Sequence, residues 1–369
     1  MEKMRFSIKK ENIFTELQLL QGIVEKRNTM PVLAHILIDA GKDRVELIGT
    51  DLEVGLKTYI ETKVEEPGAA TISGKKIYEI IRSLPDGKNV TFSLINEKMI
   101  EISSGASQFK VLCKAKDDYP QVPEARFEKN IILPLDKYTE MINRVYFAIT
   151  QEQRYYLNGA LMILKGDQIE LVSTDGHRLA YTSSKIENMD INEEINGIVS
   201  KKTLGELRKF EDKEIKFDLD ESNLFFNVKN RTLISRIIEG KFPNYNAVIP
   251  KDNPNILIFS REEITDAIRR VSLLSTERSK GIKLKLEKDK VELFSSNPEL
   301  GEARDQVETE YSGNKFEIGF NSQYILDFLT TIQSENVRFE MKDSNSAVLM
   351  APEEENEIEY KYILMPMKL

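Results

Sequence analysis

Thr174-Asp175-Gly176-His177-Arg178 is the string in this chain that most invites a chemical reading. It places an imidazole beside a carboxylate and a guanidinium, the ingredients of proton transfer. Catalysis would also need a nucleophile or a metal partner, and neither accompanies the string. One cysteine, Cys113, and two histidines, His35 and His177, cannot assemble the usual zinc clusters. No GxGxxG follows a strand pattern, and neither GxxxxGK[ST] nor GxSxG occurs, so phosphate cradles and hydrolase elbows are unsupported. The abundant carboxylates are expected to be solvated surface. No metal and no cofactor are expected.

A non-catalytic string that recurs is more informative. ELIGTDLEVGL (46–56) matches ELVSTDGHRLA (170–180), with a weaker third copy in ELFSSNPELGE (292–302). Each follows a strand pattern and ends in a turn-forming pair. Upstream, three segments each run from an apolar stretch into an apolar helical stripe: Ile13, Leu17 and Leu20; Tyr138, Ile142 and Val145; Ile264, Ile268 and Val271. The i, i+4, i+7 spacing puts each trio on one helical face, and all three positions recur at the same two domain-sized offsets. Three further strand-helix-strand segments carry Ile77, Ile81 and Leu84; Leu204 and Leu207; Ile325, Leu329 and Ile332. The implied class is α+β: three tandem domains, each two β-α-β-β-β units, with bounds at 1–127, 128–254 and 255–369. KDDYPQVP (116–123) and KFPNYNAVIP (241–250) fall at the joints. There proline ends sheet pairing and stiffens a linker.

The length of 369 residues suits several domains. No apolar run approaches a membrane span, no signal-peptide core precedes the fold, and a single cysteine fits a reducing compartment. The cytoplasm is the expected location. The net charge of −9 argues against nucleic acid at first sight. Its distribution argues otherwise. Six windows around the helices hold 21 Lys and Arg against 17 Asp and Glu, so the acidity lies elsewhere. Helices sharing one face would offer phosphates an attractive lining inside a repelling exterior, with no sequence reading.

The triple repeat, GTDLEVG, RYYLNGALMIL (154–164), STDGHRLA (173–180), KFPNYNAVIP and the terminal YILMPMKL (362–369) together resemble the DNA polymerase III beta subunit family, the bacterial sliding clamps. The resemblance runs from Met4 to Leu369. It implies a head-to-tail ring of two subunits, helices lining the hole and sheets outside, through which double-stranded DNA passes without sequence preference. It further implies processivity for a replicative polymerase and a pocket for short linear peptides of the polymerase III catalytic subunit, the clamp loader and repair proteins. By motif, the pocket would comprise Leu157, Thr174, Gly176, His177, Arg178, Leu179, Pro243, Val248, Ile363, Leu364, Met365, Pro366, Met367 and Leu369. The apolar, methionine-rich chain end supports such an adaptable site. Ala247 stands where the family often has a basic residue, and Lys368 where it has arginine. DNA contacts would fall to Arg27, Arg82, Gln151, Tyr155, Tyr156, Lys201 and Lys202. The subunit interface would use Lys75, Lys76, Phe109, Arg270, Leu273 and Leu274. The competing reading is a repeat-domain scaffold that binds peptides and never meets DNA.

Overall fold

The computed structural model describes residues 3–24, 30–129, 131–150, 155–354 and 357–369. Six α-helices occur among them: α1 (Lys10–Leu20), α2 (Gly74–Ser83), α3 (Leu135–Tyr146), α4 (Lys201–Leu207), α5 (Arg261–Ser272) and α6 (Ser322–Leu329). The apolar stripes explain them. Ile13, Leu17 and Leu20 of α1, Tyr138, Ile142 and Val145 of α3, and Ile264, Ile268 and Val271 of α5 are all buried. Local chemistry fixes the ends. Ser260 accepts from the Glu263 amide and Asn321 from that of Gln323. Glu262 and Glu263 open α5 and Arg269 and Arg270 close it, complementing the helix dipole.

Each helix is entered from a strand and followed by a three-stranded meander, so the expected β-α-β-β-β unit recurs six times. The lead strands then exchange. Arg5–Lys9, Ile131–Pro134 and Asn255–Ser260 leave their own half-repeat and pair with Asn89–Asn96, Glu214–Leu219 and Asn336–Met341 of the other half. Gly68–Ser73, Ile191–Ser200 and Phe316–Asn321 reciprocate on His35–Ala40, Gly159–Gly166 and Gly281–Glu287. Every meander is thereby a four-stranded antiparallel sheet completed by its neighbour's first strand.

The chain forms two compact units, Met1–Asp136 with Lys202–Ile237, and Lys137–Lys201 with Ile238–Leu369. In the first, Val54–Glu61 pairs with Arg231–Arg236, fusing successive repeats into a 13-stranded sheet. In the second, Arg178–Lys185 pairs with Ile358–Leu364 by the same rule, giving an eight-stranded sheet beside a separate four-stranded one. The last strand of one meander thus joins the last strand of another repeat's second meander. That rule leaves Gly301–Glu308 at the edge of the four-stranded sheet. It also leaves Ser107–Lys114 paired on one side only through Thr71 and Ile72.

The proline-containing joints are not bare linkers. Lys116–Asp118 and Tyr245–Ala247 are 3-10 turns, and Tyr119 and Phe242 beside them are buried. An aromatic next to each proline gives the segment its own apolar anchor, so it lies on a sheet as a strap.

Candidate peptide pocket and nucleic-acid surface

The Thr-Asp-Gly-His-Arg string is a turn. It joins strands Gln168–Thr174 and Arg178–Lys185, whose last pair is Thr174 with Leu179. Thr174 Oγ1 donates to the Arg178 carbonyl at 2.6 Å and accepts from the Gly176 amide at 3.1 Å. Asp175 Oδ1 accepts from the amides of His177 (2.9 Å) and Arg178 (3.1 Å). Gly176 sits at φ +88°, where a side chain is unfavourable. The first repeat builds the same turn. Thr50 Oγ1 donates to Val54 O, and Asp51 Oδ1 accepts from the Glu53 and Val54 amides. Leu52 takes the left-handed position there at φ +78°. One oxygen of this carboxylate is therefore spent on backbone amides.

Arg178 is the hub of this corner. Its guanidinium donates to Asp175 Oδ2 at 3.0 Å, to Asp327 Oδ2 on α6 at 2.6 Å and to the Phe147 carbonyl at 2.9 Å. It also lies 4.2 Å from the Tyr324 ring centroid. Burial opposes the charge, but Tyr362, Asp327 and Asp175 outweigh it and hold the guanidinium firmly protonated. Arg178, expected as pocket wall, thus clasps together the turn, the segment after α3, and α6.

Beyond the turn, Leu157, Leu179 and Ile363 meet in one apolar cluster. Val172, Ile198, Ile238, Phe242 and Leu349 belong to it too, with Tyr156, Tyr181, Tyr245 and Ile249 against its flank. These additions were missed, although outward positions alternate legibly along strands 168–174 and 191–200. Tyr245 donates to Glu170 Oε2 at 2.8 Å and stacks on Tyr181, pinning the 241–250 strap. Burial and Glu170 together raise the pKa of its phenol. Pro243 and Val248 stand exposed on that strap. Leu364 is buried and pairs with Val348 and Arg178. The tail then leaves the sheet. The Met365 amide donates to His177 O at 3.0 Å and the Met367 amide to Gly319 O at 2.8 Å. Met365 and Leu369 are exposed, and Pro366 is half-buried.

The residues expected to meet DNA are dispersed in role. Arg82 is exposed on α2. Lys201 Nζ donates to Ile149 O at 2.8 Å and lies over the Tyr146 ring; burial, then Arg178, lower its pKa. Lys202 Nζ pairs with Asp51 and donates to Ile23 O. Both lysines are thus engaged by their own fold. Tyr155 is exposed, whereas Tyr156 packs on the apolar cluster. Arg27 and Gln151 lie outside the described residues. Of the interface set, Lys75 and Lys76 pair with Glu79, Arg270 with Asp305, and Phe109 sits on Ser107–Lys114. Leu273, 78% exposed, and half-buried Leu274 follow α5. Among the described residues, no group of three His, Cys, Asp or Glu could hold a metal. None of their helices is long and apolar enough to cross a membrane.

Three family models cover nearly the whole chain: the N-terminal domain of the DNA polymerase III beta subunit at residues 4–123, the central domain at 132–244 and the C-terminal domain at 246–368. The chain belongs to the DNA polymerase III beta subunit family. It is 34% identical to the beta sliding clamp of Pseudomonas aeruginosa, covering 99% of this chain and 100% of that one. It is 31% identical to the Escherichia coli beta sliding clamp over the same shares. The crystal structure of the P. aeruginosa clamp bound to griselimycin matches with a TM-score of 0.93 at 34% identity, again covering 99% and 100% of the chains. A C. crescentus clamp, carrying polyethylene glycol at a region proposed to tether the beta motif, matches at 0.93 with 31% identity, covering 100% of this chain and 99% of that one.

Proposed function

We propose that two copies of this chain close head to tail into a ring around duplex DNA. The ring holds the polymerase III catalytic subunit, clamp loader and repair proteins by short peptides seated against the Leu157, Leu179 and Ile363 cluster. On this reading the three repeats, 1–127, 128–254 and 255–369, are its domains, the cytoplasm its location, and the chain a processivity factor without catalysis of its own. The observation that carries the proposal is the strand-pairing rule. Each repeat joint is made by last strand on last strand, and the rule leaves Gly301–Glu308 and Ser107–Lys114 unmatched. Each can find its counterpart on a second copy, and only a closing arrangement avoids filaments.

The internal joints also suggest the register. Leu56 pairs with Leu233, and Ala180 with Tyr362. Ala303 occupies the position of Leu56 and Ala180, since it opposes Ser295 as Ala180 opposes Ser173. Phe109 occupies that of Leu233, since it opposes Ile102 as Leu233 opposes Phe226. The rule therefore sets Ala303 opposite Phe109 and Glu302 opposite Lys110. It brings Leu300 and Leu112, both largely exposed in the single chain, together.

The ring reading is tested by loading the protein on nicked circular DNA. Retention in high salt on circles, with release when the DNA is linearised, is expected, because topology does not depend on phosphate attraction. Salt-sensitive binding equal on circles and linear DNA would overturn it, and peptide binding without any retention would establish the scaffold reading instead.

A further inference from the structure

Gly319 lies inside the strand Phe316–Asn321, where glycine weakens a sheet and often marks a close approach by another chain segment, and Gly281 opens the neighbouring strand Gly281–Glu287. Neither has a positive φ, so backbone conformation does not demand glycine at either position. Lys283 pairs with Gly319 and Gly281 with Asn321, so the two glycines are diagonal neighbours on one face. That face is the outer one, since Ile282, Leu284, Ile318 and Phe320 between them are buried. Their missing side chains leave a notch, and Met367 and Leu369 lie in it. A Cβ on Gly319 would stand 2.5 Å from Met367 O and 3.0 Å from Leu369 Cδ1; one on Gly281 would collide with Leu369 Cδ2. The Met367 amide donates to Gly319 O alongside.

We propose that Gly281 and Gly319 are positioning residues for the peptide pocket: they seat Leu369, and the seated terminus holds Met365 and Pro366 at the pocket rim. Leu369 is on this account an anchor for the wall. Two fixings define the tail's path, the Met365 amide on His177 O and the Met367–Leu369 seat on the four-stranded sheet. With the second lost, Met365 and Pro366 hang from one hydrogen bond and must be ordered again each time a peptide binds.

The inference rests on the reading of the tail as pocket wall, and the experiment separates the two. The probe is a fluorescent peptide carrying the clamp-contacting segment of a polymerase III catalytic subunit, titrated by anisotropy. Deleting Met365–Leu369 should abolish binding; if it does not, the pocket reading itself fails. Gly319→Ala and Leu369→Ala should each weaken the peptide about tenfold. Their combination should also cost about tenfold, because both remove the same seat. Hydrogen exchange at the Met367 amide, which donates to Gly319 O, should be faster in Gly319→Ala than in wild type or in Gly41→Ala, whose added Cβ meets only ordinary contact. A glycine that does not seat the tail would leave that exchange rate unchanged. Full peptide affinity in Leu369→Ala, which alters only the chain end, or losses that multiply in the double variant, would overturn the notch.

Discussion

Replacing Arg178 with methionine should destabilise the second compact unit far more than loss of a surface cation would. The magnitude follows from what is orphaned. Asp175 keeps its two backbone donors, and Asp327 keeps Gln323 Nε2 at 2.8 Å on its other oxygen. Asp327 Oδ2 and the Phe147 carbonyl lose the Arg178 donors. Removing one partner of a buried ion pair costs about 3–5 kcal/mol. The lower figure suits this site, because the Asp327 side chain is 24% exposed and water can reach its oxygen. About 3 kcal/mol in a unit of roughly 200 residues lowers its melting temperature by about 6–12 °C. Hydrogen exchange of amides in strands 178–185 and 358–364, followed against temperature, reads the unit directly. The double variant Arg178→Met/Asp327→Leu should recover part of the loss, since neither charge remains. A single variant melting within about 1 °C of wild type, or a double variant whose loss is the plain sum, would refute the clasp.

The proposed interface register predicts that Lys110→Glu and Glu302→Lys each loosen the dimer. A cross-strand charge pair is worth up to ~1 kcal/mol and a closed ring has two such contacts, so about 2 kcal/mol, or roughly 30-fold in dissociation constant, is expected. The double swap should restore it in sedimentation equilibrium; no rescue would shift the register. His35 gives a pH dependence. Burial, then Lys114, lower its pKa, so the unfolded chain takes up a proton first as pH falls below about 6.5. The stability this supplies is complete above that pH and lost as pH falls through the folded value. His35→Gln should flatten that slope in urea unfolding of the first unit, and an unchanged slope would exclude His35.

Local pattern carried the sequence reading as far as local pattern can. Ile13, Tyr138 and Ile264 announce equivalent helices because a buried stripe depends only on spacing. The exchange of lead strands was not legible. Arg5–Lys9 and Gly68–Ser73 carry the same alternation whichever meander they complete, and partner choice is settled by contacts distant in sequence. Lys201 and Lys202 show the limit for the site. The resemblance assigns both to DNA; in the fold, their long stems let the Lys201 ammonium reach a carbonyl and the Lys202 ammonium a carbonyl and a carboxylate. The turn at 174–178 was legible as a motif. Its purpose was not, because Asp327, the partner that makes Arg178 a clasp, lies 149 residues away.

The surfaces under the two straps differ between the first and second repeats. Residues 116–124 are fastened by Lys116 to Asp39 and by Glu124 to Lys57, and the Tyr119 hydroxyl accepts from the Thr50 amide. Val122 covers Gly55, its Cγ1 3.3 Å from where a Cβ would stand. The hollow beside this strap, about 900 Å³, is lined by Leu37, Ile48, Tyr119 and Val122 but also by the charged Asp39, Glu46, Lys57 and Lys116. An apolar peptide entering it would have to desolvate ion pairs without replacing them, which opposes binding. In the second repeat the register puts Leu179 at the position of Gly55, Ile163 at that of Asp39 and Tyr181 at that of Lys57. Its strap is pinned by the neutral Tyr245 phenol, with Phe242 in the apolar cluster and Pro243 and Val248 exposed. Three substitutions on one scaffold thus turn an ion-paired, self-covered surface into one that gains by burying a ligand's apolar side chains. Placing Asp at 163 and Lys at 181 should carry the change backwards, with the fold intact and the peptide lost. Retained peptide affinity in that pair would mean that the tail alone makes the site.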